Sequence, residues 1–199
     1  MRGFRGRDLI TDERLARLAW CCISEPETPT TRDWIVARGA SGSFRALLEG
    51  ELVADGRYDA RLQALDLEGA ARALEKHQVR IVIPSDPEWP QQVDDLAVPP
   101  VALFVKGAAH LGDLLEESIA IVGSRAATSY GLRVATEMAS GLADRGVTVV
   151  SGAAFGIDAA AHRGALAVDA PTVAVLACGL DRPYPAAHTG LIAQIGQTG

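Results

Sequence analysis

The chain has 199 residues, 48% hydrophobic and 22% charged, with a formal net charge of −6. That is globular composition for one large or two small domains; it excludes a disordered chain, which would be less apolar and more unbalanced in charge, and it excludes a global basic field that advertises nucleic acid. It does not exclude a few arginines holding phosphates in one pocket, and nearly all basic residues here are arginine, Lys76 and Lys106 being the lysines.

The cysteines are Cys21, Cys22 and Cys178. An odd count, an adjacent pair and no C-x-x-C argue against a disulfide framework and against a zinc site. No signal-peptide core and no membrane-length apolar run is present, so a cytoplasmic protein is expected.

In chain order, residues 1–75 read as a small all-helical domain, SAM-like or helix-hairpin-like, although without the paired-glycine hairpin that grips a DNA backbone. "DERLARLAWCCIS" places Leu15, Leu18, Ala19 and Cys22 on one helical face, with Thr11 or Asp12 as N-cap. "TTRDWIVARGA" predicts a helix capped by Thr31, with Trp34 and Ile35 inward and Gly39 as its stop, and "SGSFRALLEG" and "DARLQALDLEGAARALEKH" continue the pattern.

From residue 76 onward the texture changes. "VRIVIP" reads as a short strand, "SDPEWPQQVDDL" as a turn with Pro90 suited to a helical first turn, and "VPPVALFVKG" as a second strand. A clear alternation follows. "SIAIVG", "VTVVSG" and "PTVAVLACG" read as strands, and "YGLRVATEMASGLADRG", "IDAAAHRGALAVD" and "AAHTGLIAQIG" as helices. Strand starts recur at roughly 25–30 residues, the size of a βαβ unit. The strands are apolar throughout, which predicts burial on both faces of a parallel sheet. The fold class is α/β: an extended Rossmann-like parallel sheet over 76–199, preceded by the helical domain. The sheet is incomplete, because the chain stops after a helix where another strand should follow. A fragment truncated within or after the Rossmann-like domain is expected.

Ligands of such sheets bind beyond the carboxyl ends of the strands. Three loops fall there. The first, Gly123-Ser124-Arg125 to Ser129-Tyr130-Gly131, combines an arginine, hydroxyls and the free N–H groups of a helix start, which suits a phosphate. The second, "SGAAFGID", adds Ser151, Gly152 and Gly156 as a neighbouring cradle. Adjacent strands lie about 5 Å apart, so a polynucleotide backbone could span both. The third, "CGLDRPYP", brings Asp181 and Tyr184, which could close the pocket or simply form a proline-fixed turn. A dinucleotide site fails: there is no G-x-G-x-x-G, and Ser151-Gly152 stand where the ribose-binding acid belongs. Asp158 and His162 share a helical face and support the pocket. A hydrolytic triad with Ser151 lacks the G-x-S-x-G elbow.

"IAIVGSRAATSYG", "VVSGAAFGIDAAAHRGAL" and "AVLACGLDRPYP", in this order, resemble the DNA-processing protein A family (DprA, also called Smf), and "IPSDPEWPQQVDDLAVPPVALFVKG" resembles the stretch that precedes them in that family. The resemblance implies an extended Rossmann domain that binds single-stranded DNA and loads the recombinase RecA in natural transformation and recombination. It implies a homodimer, impaired in a fragment, no cofactor or metal, and no catalytic residue. It places the phosphate contact on Arg125 within Gly123-Ser124-Arg125, with Ser129, Tyr130 and Gly131, and a second motif on Ser151, Gly152, Ala154, Gly156, Ile157 and Asp158. At Phe155 the family often has lysine or arginine; Phe155 could stack on a base instead. The competing readings are a Rossmann-like nucleotide sensor and a nucleoside-monophosphate hydrolase, although the P-G-G-x-G-T loop of such hydrolases is absent from the sequence.

Overall fold

Packing divides the chain into Met1–Val105 and Lys106–Gly199. The structure, a computed structural model, describes residues 10–26, 28–53 and 56–198.

The first unit begins with α1 (Glu13–Ile23), whose N-cap Asp12 accepts from the N–H of Leu15. Its inward face is Ala16, Leu18, Ala19, Trp20 and Ile23. Cys22, expected inward, is exposed, because Trp20 and Ile23 fill the buried stripe. Cys21 is the more enclosed thiol, and burial pushes its pKa up to about 12. The next helix, α2 (Pro29–Leu48), starts earlier than expected, with Thr28 as N-cap and Pro29 in its first turn. Thr31 is buried, its hydroxyl hydrogen-bonded to those of Ser24 and Tyr58. Gly39, with φ of +71°, breaks the helix, which resumes at once. The Glu13 carboxylate caps the restarted half by accepting from Ala40 N at 3.0 Å and Ser41 N at 3.1 Å. Two further helices, α3 (Asp59–Ala64) and α4 (Leu67–Lys76), close the helical part, the latter capped by Asp66.

Strands β1 (Arg80–Val82) and β2 (Leu103–Val105) pair antiparallel. They pack with the helices: Arg14 donates to the carbonyl of Ile81 and holds Asp86 in a two-pronged ion pair, and Arg17 donates to Val101 O at 2.6 Å. The change of texture near residue 76 therefore marks a change of local structure inside one packed unit.

The second unit carries α5 (Leu111–Glu116), a short helix outside the expected pattern, and then β3 (Ser118–Ala120), α6 (Ser129–Ala143), β4 (Thr148–Ser151), α7 (Ile157–Leu166), β5 (Thr172–Ala174) and α8 (Thr189–Thr198). The sheet is parallel in the order β3-β4-β5, with Ile119 beside Val149 and Val149 beside Thr172. This is the βα alternation expected from the sequence. Small residues let α6 and α7 approach closely: Ala139, Ala143, Ala161 and Ala165 pack with Val149 beneath them. Burial on both sheet faces is not what the structure shows. Val149 is fully buried, but all three residues of β3, Ser118, Ile119 and Ala120, are exposed. Among the described residues no helix is long and apolar enough to cross a membrane.

Candidate nucleic-acid interface

The strands of the second unit end in three loops. The first leads from β3 through Gly123 to Thr128, the N-cap of α6, whose hydroxyl accepts from Gly131 N at 3.2 Å. The N–H of Gly131 is thereby spent on the cap. The N–H groups of Ser129 and Tyr130, at the first two helical positions, have no acceptor among the described residues.

The second loop, Gly152 to Gly156, is locked against the first. Gly156 has φ of +79° and leads directly into α7. A Cβ there would lie 2.6 Å from the carbonyl oxygen of Arg125 and closer still to that of Ser124. Only glycine fits. The Ile157 N–H then donates to Ser124 O at 3.2 Å, and Gly123 packs so tightly on Ile157 that a Cβ would stand 2.8 Å from its Cγ1.

Asp158 completes the lock. Its buried carboxylate accepts from Gly123 N at 3.3 Å, Gly152 N at 3.2 Å and Ala154 N at 3.4 Å. The backbone donors that the sequence offers as phosphate cradles at Gly123 and Gly152 are therefore satisfied by an anion that belongs to the protein. Glycine spacing alone cannot reveal this, since an internal carboxylate and an external phosphate ask the same geometry of the backbone.

Ser151 also points inward. It is buried, and its hydroxyl donates to Ile121 O at 2.7 Å, bracing β4 to the chain beyond β3. His162 is fully buried. The Thr172 hydroxyl donates its proton to Val149 O at 2.6 Å, so the 2.8 Å contact between His162 Nδ1 and Thr172 Oγ1 needs the proton on Nδ1. Burial lowers the pKa of this ring to about 4, against the opposing pull of Asp158. Nε2 has no hydrogen-bond partner among the described residues. Ser151, Asp158 and His162 thus each serve a different internal bond, and no Ser–His–Asp relay joins them.

The third loop reaches back to the second. His188, buried at its end, donates from Nδ1 to Ala153 O at 2.9 Å and lies edge-to-face against Phe155 at 4.7 Å. Asp181 is exposed and faces Arg182 at 3.5 Å, and Tyr184 is exposed, so neither covers a pocket.

Outward from this frame stand Ser124, Arg125, Ser129 and Tyr130, all exposed. Arg125 has no ion-pair partner among the described residues. Two further cations share this edge and escape the motif reading. Arg133, three residues after Tyr130 on α6, holds its guanidinium 5.8 Å from the Tyr130 ring and 3.6 Å from Glu137, and Arg182 lies on the third loop, paired with Asp181. The i, i+3 spacing of Tyr130 and Arg133 was the available signal. Exposed acids lie at the opposite ends of the elements, Glu116 and Glu117 before β3, Asp144 after α6 and Asp169 after α7, with Asp181 on the third loop itself. The net negative charge therefore coexists with an arginine-bearing edge where the strands end.

The model of the DNA recombination-mediator protein A family matches residues 80–199, more than half of the chain. A DprA-named protein of Mycobacterium tuberculosis is 45% identical over 131 residues, covering 60% of this chain and 34% of that protein. Protein Smf of Escherichia coli is 42% identical over 119 residues, covering 59% and 31%. The chain thus spans about a third of the length of the curated relatives it matches. Among solved structures, DNA processing protein A of Streptococcus pneumoniae shares the fold with a TM-score of 0.66, at 24% identity, over 98% of this chain and 65% of that one. The Helicobacter pylori DNA processing protein A, whose structure concerns its single-stranded DNA binding mode, aligns with a TM-score of 0.53 at 31% identity, over 61% of this chain and 53% of that one. The chain belongs to the DNA recombination-mediator protein A family.

Proposed function

We propose that this member of the family binds single-stranded DNA without reading its sequence, along the strand-end loops of residues 106–199. The observation that carries the reading is Arg125: an exposed arginine on the loop that leads into α6, with no ion-pair partner for it and no acceptor for the first two N–H groups of α6 among the described residues. Phosphate contacts of this kind fix position and carry no sequence information. Ser124 and Ser129 add hydroxyl donors beside it. Gly123, Ser151, Gly152, Gly156, Asp158 and His162 act behind the surface, holding the two loops at fixed spacing. Phe155, seated on His188, is the base-stacking residue.

In the longer family protein this binding serves recombination and natural transformation in the cytoplasm by loading RecA, the protein acting as a homodimer and as a binding protein, not as an enzyme. The inward-turned Ser151 and His162 speak against one enzymatic reading, because a Ser–His hydrolase needs both at the surface of its site.

Fluorescence anisotropy with labelled oligo-dT, the matching duplex and AMP tests the reading. Binding is expected to favour the single strand and to grow with its length. Saturable AMP binding with no gain from chain length would establish the nucleotide sensor instead, and turnover of AMP the hydrolase.

A further inference from the structure

The second unit contains three aromatic side chains, Tyr130, Phe155 and Tyr184. All three are exposed, at 69%, 45% and 69%. In the first unit, by contrast, Trp20, Phe44, Tyr58 and Trp89 are buried, although Phe104 is exposed. Burial of a ring is among the largest favourable contributions a small unit can collect. A unit that leaves every ring outside forgoes it three times.

The placement is equally uneven. Tyr130 stands in the first turn of α6, just after the β3 loop, Phe155 on the β4 loop and Tyr184 on the β5 loop. Because the strand order is β3-β4-β5, the three ring-bearing loops follow one another across a single edge of the sheet, with Phe155 in the middle. Two of the rings rest on a neighbouring side chain. Tyr130 lies beside the Arg133 guanidinium, Phe155 lies against His188, and Tyr184 sits between Pro183 and the buried Pro185. The first two loops are locked by Gly156 and Asp158, and the third is tied to the second through His188. A ring that already rests on a neighbour, as those of Tyr130 and Phe155 do, loses little freedom when something flat settles on it.

We infer that Tyr130 and Tyr184 are stacking faces for nucleobases on either side of Phe155, so that neighbouring bases of one single strand each meet one aromatic ring. This rests on the single-stranded DNA reading and adds the bases to a contact otherwise made through phosphate. Every base has a π-face, so such stacking tolerates any sequence. It also requires the bases to be unpaired, which a phosphate contact alone does not.

The test compares oligo-dT with an abasic oligonucleotide of the same length and phosphate count, by anisotropy at two salt concentrations, using the full chain. Wild type is expected to bind oligo-dT at least about 10-fold more tightly than the abasic strand. Tyr130→Ala and Tyr184→Ala each weaken oligo-dT by about 5-fold or more, leave the abasic strand unchanged and leave the salt slope unchanged. Tyr130→Phe and Tyr184→Phe keep wild-type binding, since the ring and not the hydroxyl makes the contact. Equal binding of both strands by wild type overturns the inference without touching the phosphate reading, and this comparison needs no variant to fold. Equal weakening of both strands by the alanine variants also overturns it. Failure of wild type to bind either strand overturns the DNA reading and this inference together.

Discussion

Gly156 stands directly against the backbone of Arg125: a Cβ placed on it would lie 2.6 Å from the Arg125 carbonyl oxygen. The residue proposed to touch phosphate is thus positioned by a glycine on the neighbouring loop. Gly156→Ala must move one of the two loops, and it also places a side chain at φ of +79°. The left-handed backbone alone costs roughly 1–2 kcal/mol, and the clash is with backbone, which no rotamer relieves. Thermal unfolding is expected to show a loss of at least about 2 kcal/mol. A variant as stable as wild type would show that the loops are not locked as described.

Asp158→Asn tests the internal anion. The substitution removes the charge from a buried carboxylate that three backbone N–H groups share and turns an NH2 group toward donors. Hydrogen bonds to charged groups contribute about 1.5–3 kcal/mol, so a loss in that range is expected in chemical denaturation. An unchanged midpoint would contradict the clamp.

His162 makes stability depend on pH. Its folded pKa of about 4 lies below the ordinary value of 6.5. As pH falls from about 6.5 to about 4, the unfolded chain takes up this proton and the folded chain does not. Stability from this residue is therefore fully present above pH 6.5 and lost progressively down to pH 4, by about 3 kcal/mol in all. Denaturation at pH 7, 5.5 and 4.5 should show the decline, and His162→Gln should flatten it. An equal slope in the variant would assign the acid sensitivity to other groups.

Two glycines on helices should respond oppositely to alanine. At Gly164 a Cβ would meet Thr136 O at 2.5 Å and the Ala139 Cβ at 2.9 Å, so α7 would be pushed from α6. Overpacking of this kind costs about 1–3 kcal/mol, more than the gain of up to about 1 kcal/mol in helix propensity. At Gly190, in α8, nothing lies within 4 Å, so the propensity gain stands alone. Melting temperatures should fall for Gly164→Ala and hold or rise for Gly190→Ala. The reverse order would deny the close α6–α7 contact.

The parallel sheet and its helices were legible because apolar runs and small-residue helices alternate at βαβ spacing. The turn from Gly123 to Gly131 was legible because an apolar run stops at a glycine and a helical pattern follows it. The role of Asp158 was not. In the sequence it is a first-turn acid, and its three donors lie four to thirty-five residues away. The inward turn of Ser151 likewise depends on Ile121, thirty residues earlier. Arg14 reaches Ile81 and Asp86 across 67 and 72 residues, so no local pattern could attach the β1–β2 hairpin to the helices. Exposure of Ile119 in β3 was hidden for a related reason: composition says a strand is apolar, and only packing says what covers it.

The most direct test of the central claim is the salt dependence of oligo-dT binding by wild type and Arg125→Ala, read by anisotropy between about 50 and 200 mM salt. Each phosphate neutralised on a single strand contributes about 0.7 to the slope of log affinity against log salt. Wild type is expected to bind with a clear negative slope, and Arg125→Ala to bind more weakly with a slope shallower by about 0.7. A variant with wild-type affinity and slope would show that the strand does not lie on Arg125, and the interface would have to be sought elsewhere on the chain.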